Sequence, residues 1–295
     1  GNVAMDVARI LARDPSELAG TDIAGYALEE LRTVKRLKRI YIVGRRGPAQ
    51  AAFSPKEIKE MGSLPRADLI IEPREVAALE GKSPEAEGWD VEAAQNVQYL
   101  LAKSKEAPAG NPRQVLVKFL LSPVEFKAGP DGHVRAVKIE ENELVSDGKG
   151  GWKAQGAGRF FDLEAGLVLK AVGYKGVPLP GVPYDERKGI IPNAAGRVVQ
   201  DAAAAQPVPG AYVVGWAKRG PTGLIGNNKG DSIATVEGLL ADYAEGQAWP
   251  STAAEPALDA VEKHLRARGI RYITFSDWKS IDAEEQRRGQ AQGKI

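Results

Sequence analysis

Two adjacent arginines, Arg45 and Arg46, have the charge and the position to bind a phosphate group. They follow residues 39–43, a short β-branched run that predicts a strand. Where the second strand of a dinucleotide-binding fold ends, an acidic residue favours NAD, whereas arginine accommodates the 2′-phosphate of NADP. Because charge-assisted hydrogen bonds contribute roughly 1.5–3 kcal/mol each, the pair could supply ~3–6 kcal/mol of preference for NADP. The alternative is a solvated arginine pair in a surface loop.

The first residues, Gly1-Asn2-Val3, predict the start of a helix. Val3, Val7, Ile10 and Leu11 fall on one helical face, and Asn2 is a suitable N-cap. A helix that opens on Gly-Asn is what remains of a Gly-x-Gly-x-x-Ala dinucleotide turn when its first glycine and the preceding strand are removed. We therefore expect the chain to begin inside a dinucleotide fingerprint, as the latter part of a longer protein.

A third motif predicts a helix soon after the arginines. Ser54 and Glu57 have the spacing of a capping box, and Phe53 and Ile58 have the spacing of a hydrophobic staple. Glu60 lies one turn beyond Glu57 on the same helical face. This structural role explains Glu57 without any ligand, and it is compatible with a second role in binding.

A fourth motif lies near the C-terminal end, where an apolar run ends in Gly215-Trp216. A glycine-rich turn follows and leads to a helix that we expect to begin at Asp231. Such a turn directs backbone N–H groups and the positive end of a helix towards one point, which suits an anionic or electron-rich ligand. The alternative is a glycine-rich turn beside a core tryptophan.

The elements between these motifs predict a nucleotide-binding domain with an inserted β-meander. An amphipathic pattern predicts a helix over 90–105, and an apolar run predicts a strand at 68–72. Further β-rich segments, separated by Gly, Pro and Asp turns, occupy 114–121, 133–140 and 166–172.

Composition excludes several classes of protein. The chain has 295 residues, enough for two domains or one large one, and a net charge of +1 that argues against a nucleic-acid or membrane binder. It has no cysteine, which excludes disulfides, cysteine-based metal sites and iron–sulfur clusters held by this chain. The two histidines, His133 and His264, are far apart in sequence, so we expect surface residues and no metal site. With no signal peptide and no apolar run near the ~18 residues of a membrane span, we expect a cytoplasmic protein.

The four motifs together resemble the adrenodoxin reductase type of ferredoxin–NADP reductase, and the resemblance covers nearly the whole chain. It implies an α/β fold with two dinucleotide-binding, Rossmann-like domains. Residues 1–173 would form the NADP domain without its first strand, and 174–295 the C-terminal part of the FAD domain. The Gly215-Trp216 dipeptide favours this branch, because many related flavoproteins have Gly-Asp there.

The resemblance also implies a role for each motif. Arg45 and Arg46 would bind the 2′-phosphate, and Glu57 would contact the NADP. Glu60 is our candidate catalytic residue because it shares the helical face of Glu57, where a carboxylate near the nicotinamide could orient its carboxamide or assist proton movement. The residues at the NADP pyrophosphate would be Gly1, Asn2 and Val3. The FAD would be held by Trp216 and by the backbone of Gly223, Leu224 and Ile225. Gly223 would also lie close to the nicotinamide.

In such enzymes NADPH gives a hydride to FAD, and single electrons pass on to a ferredoxin-type iron–sulfur protein. A basic run at 32–39 is typical of a solvated connector, or of a docking patch for an acidic electron carrier. Two other functions stay open. One is another NADPH-dependent flavoprotein, such as an electron-transfer subunit like the glutamate synthase β subunit, and the other is a non-catalytic NADP-binding module.

Overall fold

The computed structural model describes residues 1–34, 36–148, 150–201, 206–221, 225–247 and 258–294. The chain divides into two compact units, the first formed by Gly1–Ala171 with Lys279–Ile295, and the second by Val172–Trp278. The assignment of 1–173 to NADP and 174–295 to FAD stays a prediction.

A three-stranded parallel sheet forms the centre of the first unit. Its strands are β1 (Arg39–Val43), β2 (Ala67–Ile70) and β3 (Arg113–Lys118), in the order β1-β3-β2. Because helices cover a parallel sheet on its faces, its strands are rich in apolar residues. Val115 and Val117 of the central strand β3 are accordingly buried in the main hydrophobic core.

In the described part of residues 2–103, seven helices surround or extend from the sheet. Most begin at a proline or at a residue whose side chain accepts a backbone hydrogen bond, as Asp90 does from Ala93 N–H at 2.8 Å. They are α1 (Asn2–Ala12), α2 (Pro15–Leu18), α3 (Gly25–Thr33), α4 (Pro55–Gly62), α5 (Pro73–Val76), α6 (Pro84–Glu87) and α7 (Val91–Lys103), with 3₁₀ turns at Pro48–Gln50 and Ala77–Leu79.

The buried face of α1 differs from the predicted one. Met5, Ala8 and Ala12 point into the core, whereas Val3 and Ile10 are exposed. Small side chains at positions 8 and 12 suit a helix that contacts β1 and β3 closely. The prediction followed the larger apolar side chains and is right only in part, since Leu11 packs against the core.

An antiparallel meander follows β3. It contains β4 (Leu121–Ala128), β5 (Val134–Ser146) and β6 (Trp152–Glu164), in that order. The segment predicted at 133–140 is therefore a strand. The strand predicted at 166–172 is absent, because no neighbouring backbone in the described residues pairs with this segment. An apolar β-pattern becomes a strand only where such a neighbour completes its hydrogen bonds.

The second unit contains a small antiparallel sheet and two longer helices. Its helix α9 (Ile225–Ala244) begins six residues before the predicted start at Asp231. Asp231 lies inside the helix because its carboxylate bonds elsewhere, to Gly215 N–H. The other elements are β7 (Asn193–Ala194), β8 (Arg197–Val199), β9 (Pro207–Tyr212), α8 (Gly215–Arg219) and α10 (Leu258–Ala267), and α11 (Phe275–Ala291) runs from this unit into the first.

Among the helices that the structure describes, none combines the length and the apolar character required to cross a membrane. His133 and His264 are both exposed, as predicted. The described part of the chain contains no cluster of His, Asp or Glu that could hold a metal ion.

Candidate dinucleotide-binding site

The start of α1 is a helix N-terminus without a side-chain cap. Gly1 is the N-cap residue and, having no side chain, caps nothing. The predicted capping role of Asn2 is wrong, because its Oδ1 atom instead accepts a 2.8 Å hydrogen bond from the backbone N–H of Ser54. A Cβ atom on Gly1 would have Ala52 O as its nearest neighbour, at 3.7 Å. Among the residues that the structure describes, no side chain caps the first N–H groups of α1, which is the condition for binding an anion there.

The predicted capping box at the start of α4 is half formed. The Ser54 hydroxyl accepts the N–H of Glu57 at 3.4 Å. The reciprocal bond is absent, since the N–H of Ser54 is already bound to Asn2. Phe53 and Ile58, the predicted staple pair, both lie in the main hydrophobic core. Asn2 therefore links the start of α1 to the start of α4.

The carboxylate of Glu57 pairs with Arg9 of α1 instead of capping its own helix. A second nitrogen of Arg9 lies 3.2 Å from Glu60. The side chains of Arg9 and Glu57 are each 18% exposed, whereas that of Glu60 is 42% exposed. Arg9 thus holds both carboxylates on one side of α4, and the more accessible one is Glu60.

Sequence reasoning missed Arg9. Its signal is the spacing from Asn2, because seven residues are close to two helical turns and place both side chains on one face of α1. Asn2 binds the N-cap of α4, and Arg9 binds the acidic side chains of the same helix.

The arginine pair occupies the turn that leaves β1. The backbone of this turn is fixed, with Gly44 N–H donating to Lys118 O at 2.8 Å and Gly44 O accepting from Leu121 N–H at 3.1 Å. The side chains of Arg45 and Arg46 are exposed. Within the described residues, neither guanidinium has a hydrogen-bond or ion-pair partner. The N–H donors of both guanidinium groups are therefore available to a ligand. They lie at the carboxyl end of a parallel strand, the edge where doubly wound sheets bind ligands.

In the second unit, Trp216 lies on α8 beside a glycine with a left-handed backbone. Gly215 has a φ of +64° and donates its N–H to Asp231 Oδ2 at 3.1 Å. Trp216 is 48% exposed, and its ring stacks on that of Tyr174 at a centroid distance of 6.1 Å and an interplanar angle of 27°. An exposed, oriented indole is a surface suited to a planar ring.

Asp231 also forms ion pairs with the basic residues of α8. Its Oδ1 atom lies 2.8 Å from Lys218 Nζ and 3.5 Å from Arg219 Nε. The hydrogen bond from Lys218 holds the pKa of Asp231 below its usual range; burial opposes this, and the bond from Gly215 N–H and the charge of Arg219 reinforce it. The charged carboxylate therefore anchors the turn that carries Trp216. The predicted FAD contacts Gly223 and Leu224 lie outside the described residues, and Ile225 is the first residue of α9.

A parallel sheet, an uncapped helix N-terminus and a free arginine pair at the end of a strand define an α/β protein of the dinucleotide-binding class. The sequence relates it to NADPH-ferredoxin reductases. The chain is 41% identical over 300 residues to NADPH-ferredoxin reductase FprA of Mycobacterium tuberculosis, and 40% identical over 307 residues to human mitochondrial NADPH:adrenodoxin oxidoreductase. No protein-family model matches the chain.

Solved structures agree with this relationship. Two structures of Mycobacterium tuberculosis FprA cover all of this chain, one with a TM-score of 0.88 at 40% identity, and one, in complex with NADPH, with 0.87 at 41%. The resemblance to the adrenodoxin reductase type and the α/β dinucleotide-binding fold are therefore confirmed. The chain spans 62% of the length of FprA and 59% of the human relative.

Proposed function

We propose that this protein is a flavoprotein oxidoreductase, a ferredoxin–NADP reductase. It takes a hydride from NADPH onto FAD and passes single electrons to a ferredoxin-type iron–sulfur protein. The observation that carries the proposal is the likeness of the whole chain, in sequence and in fold, to NADPH-ferredoxin reductases. The location that we propose for it is the cytoplasm.

The first unit has residues that fit NADP. The free guanidinium groups of Arg45 and Arg46 supply charge and forked donors for the 2′-phosphate. The uncapped start of α1, at Gly1, Asn2 and Val3, supplies backbone N–H groups for the pyrophosphate. The bond from Ser54 N–H to Asn2 keeps that helix start next to the segment that follows the arginine turn. Two groups that bind phosphate are thus connected through one short segment.

The two glutamates of α4 have different roles in this proposal. Glu57 is the less exposed, and its pairing with Arg9 fixes the orientation of α4 against α1. Glu60 keeps nearly half of its surface open to a ligand. We assign to Glu60 the orientation of the nicotinamide carboxamide, or the transfer of a proton near it, and to Glu57 a contact with NADP that the pairing with Arg9 steadies.

The second unit has a surface that fits a flavin in part. Trp216 is half exposed, and the bond from Gly215 N–H to Asp231 fixes the turn before it. Gly223, Leu224 and Ile225 complete the proposed FAD contact through their backbone. When bound, FAD supplies the conversion of a two-electron donor into single electrons, and the protein supplies position and electrostatics.

A ferredoxin-type partner fits the basic run that precedes β1. Arg36, Lys38 and Arg39 lie exposed before and at the start of β1. Exposed basic residues of this kind attract acidic proteins and raise their rate of association. The basic run at 32–39 is accordingly proposed as a contact for an acidic electron carrier.

The test is reduction of bound flavin by NADPH in the full-length protein. Flavin absorbance is followed after mixing with NADPH or NADH, and cytochrome c reduction is then measured with and without added ferredoxin. We expect rapid bleaching with NADPH, a weak response to NADH, and a cytochrome c rate that depends on ferredoxin.

Each of three other results would overturn one part of the proposed function. Protein purified without flavin, and unable to bind it, would leave the alternative of an NADP-binding module. Bleaching without dependence on ferredoxin would retain the flavoprotein and reject the partner. Equal bleaching by NADH and NADPH would reject the role of Arg45 and Arg46.

A further inference from the structure

The turn that carries Arg45 and Arg46 is attached to the meander by a buried asparagine. Asn142 of β5 is 5% exposed, and its Nδ2 atom donates to the carbonyl of Arg45 at 2.9 Å. The same nitrogen lies 2.8 Å from the hydroxyl of Ser122 on β4. A buried amide needs such partners, since an unsatisfied one is costly. Asn142 is therefore fixed in place on one side and bound to the arginine turn on the other.

The backbone of Asn142 completes a closed set of hydrogen bonds. Its N–H donates to Leu120 O at 2.7 Å, and Leu120 N–H donates to Arg46 O at 3.2 Å. Leu120 has a φ of +55°, a left-handed conformation that is rare for leucine and needs support from its surroundings. Both of its backbone polar groups are bound, one to Arg46 and one to Asn142. Consecutive carbonyls of the arginine pair thus each have a partner in or next to the meander.

This arrangement separates the backbone of the arginine turn from its side chains. The carbonyls of Arg45 and Arg46 are held, whereas their guanidinium groups have no partner in the described residues. A fixed backbone reduces the conformational freedom that two long side chains lose when they bind a phosphate. We propose that Asn142 is a positioning residue for recognition of the 2′-phosphate of NADP, an inference that rests on the NADP site proposed above.

The amide is the part of Asn142 that carries this role. In Asn142→Ala the backbone N–H to Leu120 remains, and only the side-chain bonds to Arg45 and Ser122 are lost. Asn142→Asp keeps the shape but replaces the donor with an acceptor facing the Arg45 carbonyl. Ile139→Val is the matched control, because Ile139 is a buried residue of the same strand and has no hydrogen bond from its side chain to the arginine turn.

The test is the affinity of the full-length holoprotein for NADP⁺, NAD⁺ and 2′,5′-ADP by isothermal titration calorimetry. We expect Asn142→Ala to weaken the binding of NADP⁺ and 2′,5′-ADP by roughly five- to tenfold, the range of one lost hydrogen bond, and that of NAD⁺ by less than about twofold. Asn142→Asp is expected to weaken NADP⁺ at least as much. Ile139→Val is expected to leave the ratio of NADP⁺ to NAD⁺ affinity unchanged.

Three results would overturn the inference: NADP⁺ affinity in Asn142→Ala within about twofold of the wild type, equal weakening of NADP⁺ and NAD⁺, or a shift in Ile139→Val as large as in Asn142→Ala. Failure of the underlying NADP site is detected separately with the double variant Arg45→Ala, Arg46→Ala. If the double variant keeps its preference for NADP⁺, the proposed site itself is wrong. If the double variant loses that preference while Asn142→Ala keeps it, only the inference about Asn142 fails.

Discussion

The side-chain oxygen of Asn2 accepts the backbone N–H of Ser54 at 2.8 Å, so the first residue of α1 binds the N-cap residue of α4. This bond occupies the N–H that a complete capping box would use. It leaves the carboxylate of Glu57 free to pair with Arg9. Asn2 and Arg9 thus join the same two helices at two points.

Replacement of Asn2 by alanine is expected to lower the free energy of unfolding by about 1 kcal/mol, since a partly buried N–H loses its partner. Urea unfolding monitored by circular dichroism measures this change. Ser54→Ala, which removes the hydroxyl cap but keeps the N–H bonded to Asn2, is expected to cost a similar amount. A double variant whose effect equals the sum of the two would indicate independent bonds.

Replacement of Arg45 and Arg46 by alanine, singly, is expected to reduce the preference for NADPH over NADH by tenfold to a hundredfold each. The reason is the loss of about 1.5–3 kcal/mol per charge-assisted hydrogen bond to the 2′-phosphate. Steady-state kinetics with both nucleotides measure the ratio of kcat/KM. Arg39→Ala removes an exposed arginine at the opposite end of β1 and is expected to leave the ratio unchanged. A loss of preference in Arg39→Ala would point to net charge instead of a local contact.

Substitution of the two glutamates of α4 is expected to have different effects, mainly on stability for Glu57 and mainly on activity for Glu60. Glu57→Ala leaves the mostly buried guanidinium of Arg9 with fewer partners, and is expected to lower the free energy of unfolding by about 1–3 kcal/mol. Glu60→Ala is expected to change it by less than about 0.5 kcal/mol, because this side chain is more exposed. Flavin reduction by NADPH in Glu60→Ala is expected to slow by about tenfold or more. Stopped-flow absorbance measures that rate, and an unchanged rate would remove Glu60 from the catalytic role.

Stability of the second unit is expected to fall in acid because of Asp231. Its folded pKa is lowered, chiefly by Lys218, so its contribution is complete above the unfolded value of about 3.9 and is lost as pH falls through the folded pKa. Chemical unfolding between pH 6 and pH 3 in wild type and Asp231→Asn measures this. The wild type is expected to lose stability more steeply below pH 4. Lys218→Met removes the main cause of the lowered pKa and is expected to reduce the difference; identical slopes in all three proteins would contradict this account.

Local patterns predicted many of the elements but not the contacts between them. The Ser54 cap of α4 and the strand before Arg45 follow from neighbouring residues, and both are present. The partners of Asn2 and Arg9 are 52 and 48 residues away, so no local pattern contains them. The strand predicted at 166–172 is absent for a different reason. Its apolar pattern is local, but a strand forms only where a neighbouring backbone pairs with it.

The same limit applies to the candidate site. The place of Arg45 and Arg46 after a strand could be predicted, because residue type and order are visible in the sequence, and their binding role stays a prediction. Asn142 could not, because its relation to Arg45 depends on the register of β5 against β4 and on the left-handed turn at Leu120. Asp231 was predicted to start a helix, whereas its role as the partner of Gly215 and Lys218 comes from tertiary packing.

The arginine turn has a backbone bound at Gly44, Arg45 and Arg46 and two side chains bound to nothing in the described residues. In the proposed NADP site, nucleotide choice can therefore change here without refolding of the polypeptide. A redesign towards NADH has two residues to replace, with the supporting strand and meander left as they are. In the proposed site the exposed side chains supply the charge that distinguishes the two coenzymes, and the buried scaffold, through Asn142, supplies their position.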